Sequence, residues 1–189
     1  RVSVPDEASF AEEIYYTFDT ASQTFSEAST YSAGETYYEK LSSVLLLADQ
    51  NLDAKPYDTN NTSITWETST IRSWLNGYSS ADVNGANAVN PYAGSFIGSA
   101  FTASEQDTIA ETAFSDSIKD KIYLLSEDEA GTSSYGFSSQ ADRVSSNTAY
   151  TESILGSTTG WWLRSCHSAD EVDRVLDGGA ISHCNGNYA

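Results

Sequence analysis

The strongest constraint on the fold of this chain is a pair of segments, WETSTIRSWLN at 66–76 and WWLRS at 161–165, that hold all four of its tryptophans. In the first, Ile71, Trp74, Leu75 and Tyr78 recur at i, i+3, i+4 and i+7, between a Thr-rich start at Thr68 and an Asn76–Gly77 stop. That spacing predicts a short helix with an aromatic inner face. The second segment opens a strand-sized run, Trp161 to Cys166. Large buried aromatics supply about 1.5–3 kcal/mol each, and Arg72 and Arg164 carry planar five-donor forks suited to fastening carbonyls or carboxylates. The expected role of Trp66, Arg72, Trp74, Leu75, Trp161, Trp162 and Arg164 is therefore structural.

Bulk properties narrow the function classes. With 9 Lys plus Arg against 27 Asp plus Glu, the formal charge is −18, which opposes nucleic acid and anionic lipid surfaces. No apolar run approaches the roughly 20 residues that span a bilayer, so no membrane insertion is expected. There is no Met, and RVSVPDE at the start lacks the basic and apolar regions of a signal peptide, which reads as a processed or excised segment. Abundant Thr, Ser, Asn and Tyr with scarce Lys point to a secreted or cell-surface setting.

Along the chain, residues 1–41 read as an N-terminal extension: a short strand in RVSVP, then a helix suggested by Phe10, Ile14 and Phe18 at i, i+4 and i+8. SSVLLLAD at 42–49 has the length and composition of a buried central strand. Thr102 and Glu105 form a capping-box pattern that should start a helix over about 103–112, and Ser126 and Glu129 repeat it for a brief helical turn. KIYLLS at 121–126 reads as a strand, whereas 79–100 and 131–160 read as loops. Three strands should close the pattern, Trp161 to Cys166, Val172 to Leu176 and Ala180 to Cys184, the last two joined by an Asp177–Gly178–Gly179 hairpin turn.

The order VLLLAD, WETSTIRSWLN, AFTASEQDTI, DKIYLLSEDEA, GWWLRS and a strand–DGG–strand hairpin resembles a large bacterial family of extracellular domains of unassigned biochemistry. That family is similar in turn to the formylglycine-generating-enzyme-like branch of the C-type-lectin fold, which includes receptor proteins diversified by retroelements. The resemblance covers about 42–188. It implies an α+β, C-type-lectin-like domain over 42–189, with two short helices, small antiparallel sheets and long loops. Family members usually carry a closing strand past the last hairpin, and this chain is expected to lack it. RVSVP, from the same molecule or a neighbour, could fill the gap by strand addition, and an open sheet edge would favour self-association.

For chemistry, Cys166–His167 and His183–Cys184 stand out. In an extracellular context a Cys166–Cys184 disulfide is expected, closing a loop worth about 3 kcal/mol. A Zn²⁺ or Cu site from the same four residues is disfavoured, because adjacent strand residues point to opposite faces; thiols should face inward and imidazoles outward. Copper-dependent formylglycine generation, which the resemblance brings to mind, finds no further motif, and no catalysis is expected. Asp170, Glu171, Asp173 and Asp177 could offer oxygens to Ca²⁺, but the sugar-site signatures of calcium-dependent lectins are absent. The expected function is a binding or adhesion module for a protein or glycan, with His167, Asp170, Asp173, His183, Asn185, Asn187 and Tyr188 on its ligand face. The alternative is a structural subunit of an extracellular assembly completed by strand exchange.

Overall fold

The computed structural model describes residues 13–40, 43–59, 63–78 and 94–188, and the chain divides into two units, Arg1–Leu46 and Leu47–Ala189. In the first unit the expected helix is overturned. Tyr15–Asp19 (β1) pairs antiparallel with Thr24–Glu27 (β2) and Tyr38–Glu39 (β3), in the order β2-β1-β3. The i, i+4 spacing of Ile14 and Phe18 competes with a β-forming Tyr-Tyr-Thr-Phe run, and cross-strand packing decides. Phe18 faces Phe25 with ring centroids 4.8 Å apart, and Asp19 turns the chain by accepting the Ala21 and Ser22 N–H groups. Ile14 is exposed. RVSVP and Phe10 lie outside the described residues.

The apolar run before the second unit is also corrected. Val44 to Leu47 form no strand and stand 51–86% exposed; the next described ladder, Gln50–Asn51 (β4), begins after the run. Apolar length alone does not specify a pairing partner, and none lies beside this stretch among the described residues.

The second unit is mixed α+β, with short helices and small sheets. Thr70–Asn76 (α1) is the aromatic helix, capped by the Ser69 hydroxyl and closed by Gly77 in the left-handed region. Phe96–Ala100 (α2) follows, capped by Ser95, and Ala103–Thr108 (α3) starts at the Thr102/Glu105 capping box. Thr112–Ala113 (β5) pairs with Lys119–Asp120 (β6), and Glu127–Ala130 (α4) starts at the Ser126/Glu129 box. Ser146–Asn147 (β7) pairs parallel with β4, and Ala149–Leu155 (α5) follows behind a Thr148 cap. The expected KIYLLS strand is absent. Its backbone is bonded largely by side chains instead: Asn76 takes the Lys121 and Ile122 N–H groups and gives to the Ile122 carbonyl, and the Arg164 guanidinium gives to the Leu124 carbonyl, while the Arg164 backbone N–H gives to the Leu125 carbonyl.

The three closing strands form as expected. Trp161–Cys166 (β8), Glu171–Val175 (β9) and Ile181–Asn185 (β10) make an antiparallel sheet with β9 in the middle. Between Trp162 and Cys166, β8 carries a bulge, so its two ends aim differently. Side chains alternate across the sheet. On one face Val172, Trp162 and Cys166 join Tyr57, Ile64, Trp66, Ile71, Leu75 and Ile118; on the other Val175, Leu163, Trp161 and Ile181 join Leu125, Ala130 and Phe137. The sheet is thus wedged between two apolar clusters.

Candidate functional site

The framework residues act through hydrogen bonds as much as through area. Arg72 is 1% exposed, and its Nε reaches both carboxylate oxygens of Asp120 at 2.9 and 3.0 Å. Asp120 also accepts from Trp66 Nε1 and the Tyr78 hydroxyl, each at 2.8 Å. One fully buried carboxylate therefore joins α1, the segment before it and β6. Burial, then Asp120, pushes the Tyr78 hydroxyl pKa upward. Leu75 is buried, while Trp74 is half-buried against Phe96. Trp161 and Trp162 donate to the Arg143 and Lys55 carbonyls. Arg164 pairs with Glu129 and lies over the Phe114 ring.

Asp120 itself is not evident from sequence, because an Asp between Lys119 and Lys121 reads as part of a solvated charged turn. Beside it, an open groove of about 430 Å³ is lined by Trp66, Glu67, Phe114, Ile118, Arg164 and Ser165 among others. Its cation is already committed to Glu129, so the groove offers a ligand mainly apolar walls.

The concentration of reactive groups is on the β8–β9–β10 sheet. Cys166 and Cys184 both align with Val172, one from each outer strand. Two strand spacings put their Cα atoms about 10 Å apart, beyond the roughly 7 Å that a disulfide spans. Both are free thiols, and the expected bridge does not form. Burial raises the pKa of each. Tyr57, fully buried, donates its hydroxyl to the Arg164 carbonyl and lies 3.9 Å from the Cys166 sulfur.

The neighbouring histidines project to the opposite face, at the end away from Val175 and Ile181. His183 is register-paired with Asp173, and the His167 N–H donates to the Glu171 carbonyl, which puts both imidazoles on the Asp173 face. From the two outer strands the rings lean inward and stack, 3.6 Å between centroids and 3° between planes. Asp173 on the middle strand is 6% exposed, and its one close polar partner among the described residues is His167 Nδ1 at 3.9 Å. Burial, then the Glu127 charge, raises the Asp173 pKa against the pull of His167 and His183. Ligand atoms of His167, Asp173 and His183 all lie within 4.8 Å of one another.

A model of a domain of unknown function, DUF6273, matches residues 42–189. The chain belongs to the DUF6273 family. No curated protein and no solved structure matches it. Within the DUF6273 domain the remaining expected ligand-face residues do not join the histidine cluster. Asp170 accepts from the Ser168 hydroxyl in the β8–β9 turn, and Asn185 is half-buried opposite Glu171. Asn187 and Tyr188 are exposed beyond β10. Asp177 receives the Thr159 N–H at the far hairpin. The four acidic residues suggested for Ca²⁺ are thus dispersed, and only Asp173 enters a cluster.

Proposed function

We propose that the DUF6273 domain is a secreted or cell-surface C-type-lectin-like binding module, working in adhesion or recognition without catalysis. Its ligand face is the exposed His167 and His183 end of β8–β9–β10 with the turns there. The observation that carries this reading is the stacked pair His167 and His183 over a buried, nearly unpartnered carboxylate. An acceptor with so little pairing has capacity left for a ligand donor, and a rigid sheet backed by two apolar clusters is a suitable platform for recognition. The partner class is a protein or a glycan. Protein and glycan arrays probed with the wild type and with a His167→Ala/His183→Ala variant test it: capture should fall at least tenfold in the variant. Equal capture by both would place the ligand elsewhere.

A second reading has its own observation. The exposed apolar run Val44 to Leu47 suits a structural subunit completed by strand exchange. Light scattering across a hundredfold range of concentration should then show an oligomer that Leu46→Asp dissolves; a monomer throughout would end that reading.

A further inference from the structure

We propose that His167, Asp173 and His183 form a binding site for a divalent transition-metal ion, with Zn²⁺ the best-suited occupant. This goes beyond the binding-module reading and does not need it. Two imidazole nitrogens and one carboxylate oxygen, each from a different strand or strand end, are the donor types that Zn²⁺ and its neighbours take, whereas Ca²⁺ and Mg²⁺ require oxygen ligands throughout. Three protein donors leave a fourth position for water or a ligand atom.

The geometry is close to what an ion needs. A tetrahedral centre with bonds of about 2.0–2.2 Å holds its donors roughly 3.4 Å apart, and here the donors lie within 4.8 Å. Closing the largest gap takes on the order of 1 Å, which small χ rotations of two exposed imidazoles supply. The same rotations turn the parallel rings so that their lone pairs converge.

Electrostatics point the same way. Asp173 is more than nine-tenths buried, no described donor comes within hydrogen-bond distance of its carboxylate, and Glu127 adds negative charge nearby. The spot lacks a cation. No other set of three His, Cys, Asp or Glu side chains among the described residues gathers in this way. Cys166 and Cys184 point away into the other face, so the thiols take no part.

Isothermal titration of the intact, reduced chain with ZnCl₂ is the test, with CaCl₂ as comparison. The expected result is one Zn²⁺ per chain with micromolar or tighter affinity, and at least hundredfold weaker Ca²⁺ binding. His183→Ala and Asp173→Asn should each weaken Zn²⁺ at least tenfold, and Cys166→Ser/Cys184→Ser should leave it unchanged. Because an Asp173 variant could unfold, Cu²⁺ bound to the wild type gives a second readout: its electron paramagnetic resonance should show two equivalent nitrogens, falling to one in His167→Ala. Absent Zn²⁺ binding at millimolar concentration, binding indifferent to His183→Ala, or binding lost with the cysteines would each overturn the site. The array experiment, run in the presence of a chelator, separates a failed metal site from a failed ligand face.

Discussion

Asp120→Ala is the most informative single substitution in this fold. It removes the acceptor of three donors at once, Arg72 Nε, Trp66 Nε1 and the Tyr78 hydroxyl. What remains is a guanidinium at 1% exposure with only the Glu67 carbonyl as a hydrogen-bond acceptor and the Tyr78 ring against it at 4.8 Å. Breaking a buried pair from one side costs about 3–5 kcal/mol, and each lost neutral hydrogen bond adds about 1 kcal/mol. Because the three donors share one acceptor the costs overlap, and about 5 kcal/mol is the expected loss. Against a typical domain stability of about 5–15 kcal/mol, that is a large fraction, and near 3 °C per kcal/mol it lowers Tm by roughly 15 °C.

Urea denaturation followed by far-ultraviolet circular dichroism measures this without relying on Trp66 fluorescence. The double variant Arg72→Met/Asp120→Leu distinguishes a stranded charge from lost packing, since replacing both partners with apolar groups is often near neutral. It should recover more than half of the stability that Asp120→Ala loses. A loss under about 1 kcal/mol for Asp120→Ala, or no recovery in the double variant, would refute the claim that one buried ion pair anchors α1.

Three further substitutions or titrations probe other parts of the fold. At Gly179, φ is +79° and a Cβ would lie 1.8 Å from the Gln140 carbonyl oxygen, so Gly179→Ala should cost on the order of 3 kcal/mol in thermal denaturation. Gly179→Asn, which tolerates positive φ, should do no better if contact rather than dihedral strain is the cause. Burial opposes ionisation of Glu129, but the Arg164 pair and the Ser126 N–H outweigh it and hold its pKa below 4.5. That lowered value contributes stability above about pH 4.5 that is lost as pH falls through the folded pKa. The stability gap between wild type and Glu129→Gln should therefore narrow progressively below pH 4.5, and a gap constant with pH would contradict it. Iodoacetamide should label two cysteines per chain in urea without reductant, and in the native protein labelling should be slow at pH 7 and speed up above pH 9, as burial raises both thiol pKa values. Absence of both labels in urea would mean a bridge the strand spacing forbids.

Local, contiguous signals carried well from sequence to structure. The capping boxes at Thr102/Glu105 and Ser126/Glu129, the Gly77 stop and the Asp177–Gly178–Gly179 turn are all read from residues three or four apart, and all are present. Two helices hid within expected loops, although Ser95 and Thr148 are good caps. Each is short, and neither shows a full apolar stripe. What failed depended on partners distant in sequence. KIYLLS looks like a strand until Asn76 and Arg164 take its backbone groups. VLLLA looks like a core strand but forms no ladder among the described residues. Asp120 looks solvated until Arg72, 48 residues away, closes on it.

The cysteines and histidines show how one wrong expectation and one correct one came from the same four residues. Alternation correctly separates each thiol from its adjacent imidazole, but it is silent on which strand sits between. With β9 in the middle, Val172 holds the cysteines apart while Asp173, one residue on, receives the histidines from above. A slip of one residue in the β9–β10 hairpin would exchange His183 and Cys184, turning that imidazole to the Val172 face and that thiol to the Asp173 face. Register is therefore as much a part of the histidine site as its ligands are, and it is held partly by Gly179, whose carbonyl takes a 2.7 Å hydrogen bond from Arg143. The chemistry at one end of the sheet depends on a glycine at the other, so a hairpin variant that stays folded but shifts register should lose the ion without losing any of its three ligands.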